Sequence, residues 1–144
     1  MLHRILVPTD GSPESDKALH LAQKIAKAQA AEILLVRVGE RPVWPELAED
    51  GGLPPDVYDQ ILTQIEQDAQ ADLTRLSGQI QADGIAVSAL LLWGSPTGAL
   101  LDCVDQEHPD LVAMTTHGRS GLERFALGSV TDRMVREGSA PVLV

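Results

Sequence analysis

Apolar residues fall along this chain in two alternating rhythms. Short, nearly unbroken runs, "HRILV" at 3–7, "EILLVRV" at 32–38, "IAVSALLLW" at 85–93, "DLVAM" at 110–114 and "APVLV" at 140–144, predict five strands. Runs apolar almost throughout suit parallel strands covered on both faces. Between them the spacing becomes that of helices. Ala18, Leu21, Ala22, Ile25 and Ala28 mark one stripe, and Tyr58, Ile61, Leu62, Ile65, Ala69, Leu73, Leu76 and Ile80 a longer one. Ala99, Leu100, Cys103 and Val104 form a third stripe over 96–107, and a last helix follows Ser129.

The punctuation supports these elements. "TDGSP" follows the first strand, with Gly11 for a tight turn, Ser12 as a cap and Pro13 at the first helical position. "GSP" recurs at 94–96 after the third strand, and Gly84 is placed to end the long helix. Residues 39–54, rich in Gly, Pro and acid, predict a long loop in which Trp44 serves as an anchor or a stacking residue. Strands alternating with helices give an α/β fold, an open five-stranded parallel sheet with helices on both faces, formed as a single domain over 1–144. In such sheets ligands sit beyond the carboxyl ends of the strands, where strand order reverses. Asp10 follows strand one and "THGRSGLERFALGSV", 116–130, follows strand four, so both lie at that edge.

Charge and composition narrow the function. With 21 acidic and 11 basic residues the net charge is −10, which disfavours nucleic acid as a partner. The single cysteine, Cys103, fits a core position in a reducing compartment, and the N-terminal apolar run is too short for a signal core or a membrane span. The expectation is a soluble cytoplasmic protein without membrane partners. Within this acidic molecule, residues 119–136 carry Arg119, Arg124, Arg133 and Arg136 against Glu123 and Asp132. The segment is a basic island.

Glycines let backbone N–H groups approach an anion, and a helix N-terminus adds unpaired donors and a positive dipole end. Gly118, Gly121, Gly128 and Ser129 supply those materials, with Arg119 and His117 beside them. Ser129-Val130-Thr131-Asp132 also fits a plain capping box, which needs no ligand. Physics leaves both readings open. Neither G-x-x-x-x-G-K-[ST] nor G-x-G-x-x-G occurs, and Lys17, Lys24 and Lys27 are placed in the first helix away from any glycine loop. The histidines are scattered and suggest no metal site.

These residues resemble the universal stress proteins of the UspA type over essentially the whole chain, through "ILVPTDGS", "DLVAMTTHGRSGLERFALGSVTDRMV" and "PVLV". The ATP-binding branch of that family carries G-x-x-G-x9-G-[ST]. Here Thr115 stands in place of the first glycine, and Gly118, Gly128 and Ser129 match, with nine residues between the two glycines. The resemblance implies a sheet order of 3-2-1-4-5 and a homodimer pairing through the C-terminal strand. It implies bound ATP, with Mg²⁺ arriving on the triphosphate, and a regulatory, nucleotide-responsive role in stress tolerance. Pro8, Thr9 and Asp10 then lie beside the nucleoside, Asp10 near the ribose, and the Val38 backbone meets the adenine edge. Met114 and Thr115 line the ribose side, while Gly118, Gly128, Ser129 and Val130 cradle the phosphates. No base and nucleophile pair accompanies the cradle, so an enzyme is disfavoured and any hydrolysis is slow. The alternative is a stress protein that binds no nucleotide and acts through dimerisation and protein contacts. Thr115 bears on the choice, because a β-branched residue resists the positive φ that glycine permits.

Overall fold

Five parallel strands order themselves β3-β2-β1-β4-β5 in the computed structural model, which describes residues 1–41, 55–115 and 129–144. The strands are β1 (Arg4–Pro8), β2 (Glu32–Gly39), β3 (Val87–Trp93), β4 (Leu111–Ala113) and β5 (Val142–Leu143). The helices are α1 (Pro13–Gln29), α2 (Pro55–Ala82), α3 (Pro96–Glu107) and α4 (Ser129–Glu137). The order that the family resemblance implied is therefore the order found. Strand succession reverses between β1 and β4, which opens a crevice at their carboxyl ends.

Side chains alternate across the sheet with a period of two, so each strand feeds two cores. On one face Ile5, Val7, Ile33, Leu35 and Ala113 pack with Leu19, Ala22 and Ala26 of α1 and with Leu73, Leu76 and Ile80 of α2. On the other, Leu6, Leu34, Val36, Val112 and Met114 pack with Leu100, Cys103 and Val104 of α3 and with Met134 of α4. Burial pushes the Cys103 thiol pKa up, with Glu107 adding to the shift, so Cys103 is a core residue and not a ready thiolate. Strand β3 lies at one edge, and Ser88 and Ala89 are exposed there.

Two expectations about helix faces are corrected. The α1 stripe is rotated from the predicted one: Ser15, Ala18, Leu19, Ala22 and Ala26 are buried, whereas Leu21 is 45% exposed and Ala28 is exposed. The small residues Ala18, Ala22 and Ala26 let α1 lie close to the sheet, and Leu19 fills the space beside them. In α2 the stripe is fully buried only from Ala69 onward, and Tyr58, Ile61, Leu62 and Ile65 are half-buried. Strand limits also shift by up to two residues from those expected, most at β5, which is formed by Val142 and Leu143. The predicted loop at 39–54 is described only up to Arg41, and Trp44 lies outside the described residues.

Candidate functional site

The first wall of the crevice is built where β1 ends. Gly11, at φ 80, turns the chain, and the Asp10 carboxylate accepts the Ser12 N–H at 2.9 Å, closing an Asx turn. Ser12 then caps α1: its Oγ accepts the Ser15 N–H at 3.2 Å, and Pro13 begins the helix. The Ser15 hydroxyl donates to the Ser12 carbonyl at 2.9 Å, so the Thr9 hydroxyl, 3.3 Å from Ser15 Oγ, is left to act as donor between them. Thr9 Oγ1 in turn accepts the Gly11 N–H at 3.3 Å. With Thr9, Ser12 and Ser15 each 6% exposed, this hydroxyl chain fixes the path by which Asp10 is presented at the sheet edge. The second Gly-Ser-Pro turn lacks it: Gly94 has φ 128 and Ser95 the extended backbone of a cap, without a side-chain cap hydrogen bond.

Strand β2 runs further than β1. The Thr9 N–H donates to the Val36 carbonyl at 2.8 Å, and β1 then turns away. Backbone polar groups repeat their direction every second residue in a strand, so Val38 turns its N–H and C=O toward the same side as Val36, into the space β1 has vacated. Gly39 faces the opposite way, its carbonyl accepting the Gly94 N–H at 3.1 Å. A Cβ on Gly39 would lie 2.7 Å from the Trp93 ring, so the indole rests directly on this glycine, and the Arg41 guanidinium stands 5.7 Å from the ring centroid.

The second wall comes from β4 and α4. Met114 is 8% exposed, and its N–H donates to the Leu143 carbonyl at 3.0 Å. The next residue, Thr115, has its carbonyl held by the Thr131 hydroxyl at 2.6 Å, with Thr131 itself 3% exposed. Among the described residues the left-handed backbone region is occupied outside glycine only by Ala30 and His108, so Thr115 keeps a conformation natural to a β-branched residue. The position where the motif has glycine does not demand positive φ here. Ser129 opens α4 exposed, Val130 packs against the core, and Asp132 Oδ1 accepts Arg136 Nε at 2.9 Å.

Pro8, Thr9, Asp10, Met114 and Thr115, together with Ser129 and Val130, thus all lie at the carboxyl ends of β1 and β4 or at the start of α4, with Val38 one strand across. Gly118, Arg119 and Gly128, like His117, Gly121 and Arg124, lie outside the described residues. Lys17, in the first turns of α1, lines a cavity of about 160 Å³ with Ala18, Leu21, Met114, Thr115 and Leu143.

Over residues 1–144 the chain matches the model of the universal stress protein family. The chain belongs to the universal stress protein family. Universal stress protein MJ0531 of Methanocaldococcus jannaschii is 30% identical over 141 residues, 98% of this chain and 80% of that protein. The structure of MJ0577 from the same organism superposes with a TM-score of 0.83 at 24% identity, covering 100% of this chain and 95% of the other, and shares the fold. A universal stress protein in complex with cAMP superposes with a TM-score of 0.64 at 25% identity, covering 99% of this chain and 94% of that one. Among the described residues of this universal stress protein, no helix is long and apolar enough to cross a membrane.

Proposed function

We propose that the chain binds an adenine nucleotide, ATP with Mg²⁺ on its phosphates, in the crevice between β1 and β4, and acts as a nucleotide-responsive regulatory homodimer. The observation that carries this reading is the convergence at that crevice of the Val38 backbone edge, the Asp10 carboxylate and the start of α4. A peptide edge suits the donor and acceptor pattern of adenine, a carboxylate suits ribose hydroxyls, and a helix N-terminus suits phosphate. The cAMP bound by a relative of the same fold supports the ligand class. A divalent ion would keep phosphate and water oxygens as its ligands, with Asp10 the carboxylate at that edge. No catalytic base is assigned.

The dimer reading has its own support. Strand β5 is an outer strand, and beside it Leu21 and Val144 are 45% and 52% exposed around the cavity lined by Ala113 and Leu143. Unpaired edges and exposed apolar surface are features that a second copy covers. The alternative, a stress protein without nucleotide, draws on Asp10 and Ser12 being engaged in local turn and cap hydrogen bonds.

Calorimetric titration of ATP and Mg²⁺ into nucleotide-stripped protein tests the reading. Saturable binding near one site per chain, lost in Gly118→Val, supports it, and competition by AMP or cAMP then ranks the phosphates. An absence of heat and of competition overturns it in favour of the alternative. Light scattering after size-exclusion chromatography tests the dimer.

A further inference from the structure

The nucleotide reading leaves the buried hydroxyl of Thr131 without a task, and the geometry gives it one. The Thr115 carbonyl ends β4 at the mouth of the crevice, and α4 begins at Ser129, with Thr131 in its first turn. A carbonyl oxygen at the edge of an anion site is a liability, because its partial negative charge opposes the phosphate that the helix N-terminus attracts. The Thr131 hydroxyl donates to that oxygen at 2.6 Å from a position 3% exposed to solvent, so the bond is shielded from competing water.

We propose that Thr131 is a positioning residue for the phosphate end of the site: its hydroxyl turns the Thr115 carbonyl toward α4 and fixes the separation between the end of β4 and the helix N-terminus. Thr131 acts through Thr115 and does not itself meet the ligand. This rests on the nucleotide reading and adds to it the device that makes Thr115 serviceable where the motif has glycine. With its φ outside the left-handed region, Thr115 cannot turn its carbonyl away by a glycine-like backbone flip. A neighbouring donor does this instead. The β4 end has a further tether in the Met114 N–H bond to the Leu143 carbonyl at 3.0 Å, so the Thr131 bond acts on a strand end already held on its other side.

The test compares wild type, Thr131→Val and Thr131→Ser by calorimetry with ATP and Mg²⁺, and by displacement of ATP with free adenine, which lacks the ribose beside Thr115, alongside thermal melts. Thr131→Val is expected to weaken ATP by about tenfold while adenine affinity stays within about twofold, and Thr131→Ser to restore ATP binding, as the loss of one hydrogen bond predicts. Equal ATP affinity in wild type and Thr131→Val overturns the positioning role and leaves nucleotide binding standing. A parallel loss for ATP and adenine makes Thr131 a residue of the fold alone, which also overturns it. Failure of the wild type to bind ATP falls first on the nucleotide reading and removes this role with it. If Thr131→Val does not fold, Thr131→Ser and Thr131→Ala carry the same comparison, Ser retaining ATP binding and Ala losing it selectively.

Discussion

Asp110 holds the start of β1: its Oδ2 accepts the Arg4 N–H at 3.0 Å, as well as that of His3 at 2.8 Å, across more than a hundred residues of chain. The Asp110 N–H completes the tie by donating to the Arg4 carbonyl at 2.9 Å. Above this latch the Arg4 side chain spans Glu32 and Glu107, with Nη1 3.0 Å from Glu107 Oε2. Both ends of the central strand are thereby fixed, one by Asp110 and the other by Thr9.

Hydrogen bonds from the His3 and then the Arg4 backbone hold the Asp110 carboxyl below its ordinary value of 3.8. A depressed carboxylate pKa means the unfolded chain binds the proton first. The associated stability is complete above the unfolded value and fades as pH falls through it toward the folded one. Asp110→Asn should therefore lower the melting temperature by a constant amount above about pH 5, with the gap to wild type narrowing below about pH 4. Melting curves across that range check this. A gap independent of pH would mean that the charge of Asp110 is irrelevant.

Gly39 and Trp93 form a pair in which one side chain occupies the place of the other. Because an added Cβ would meet the indole at 2.7 Å, Gly39→Ala must displace the ring from its seat below Arg41. The expected cost is about 1–2 kcal/mol by urea denaturation, typical of overpacking. In a Trp93→Ala background the same substitution should cost nearly nothing. A cost unchanged by removal of the indole would point to the backbone of Gly39.

Leu19 and Leu21 carry the clearest test of the helix face. Leu19 is 3% exposed and Leu21 45% exposed, the reverse of what spacing alone suggests for Leu21. Leu19→Ala should cost about 2–4 kcal/mol and Leu21→Ala less than about 1 kcal/mol in stability. If Leu21 lies in a dimer interface, its truncation should instead raise the dissociation constant of the dimer.

The strand order followed from the family resemblance, whereas element succession was legible because unbroken apolar runs, Pro13 and Pro96 at helix starts, and Gly84 at a helix end all agree with one alternation of strands and helices. The face of α1 was not, since alanine-rich helices offer two nearly equivalent stripes and only the sheet's shape chooses between them. That Asp10, Val38, Thr115 and Ser129 fall at the sheet's carboxyl edge was legible, because the ends of β1, β2 and β4 and the start of α4 lie close to where the pattern put them. Thr131 was not singled out as a site residue, because it acts on the chain after β4 from a neighbouring element. Thr115 could be questioned from sequence, and only the backbone showed that its φ lies outside the left-handed region.

A different prediction concerns Arg37, whose Nη1 lies 2.7 Å from Asp72 Oδ2 with only 14% of its side chain exposed. This bond ties α2 to β2 at the beginning of the fully buried part of α2's apolar stripe. Asp72→Asn should destabilise more than Asp83→Asn, whose Lys27 partner is 57% exposed, since solvent weakens the outer pair. Parallel denaturation of the two variants decides it, and equal effects would remove any special weight from Arg37.

The ladder joining the two walls of the crevice is unequal. Among the described residues, the ladder between β1 and β2 runs from Arg4 to Pro8, whereas that between β1 and β4 covers Ile5 and Leu6, and that between β4 and β5 covers Val112 and Ala113. Fewer ladder bonds hold the β4 side than the β2 side. Small excursions of β4 and α4 cost few backbone bonds, whereas the β1–β2 side must break a longer ladder to move. Whatever occupies the crevice will be felt on the short-stranded side, which is also the side next to the molecule's outer edge.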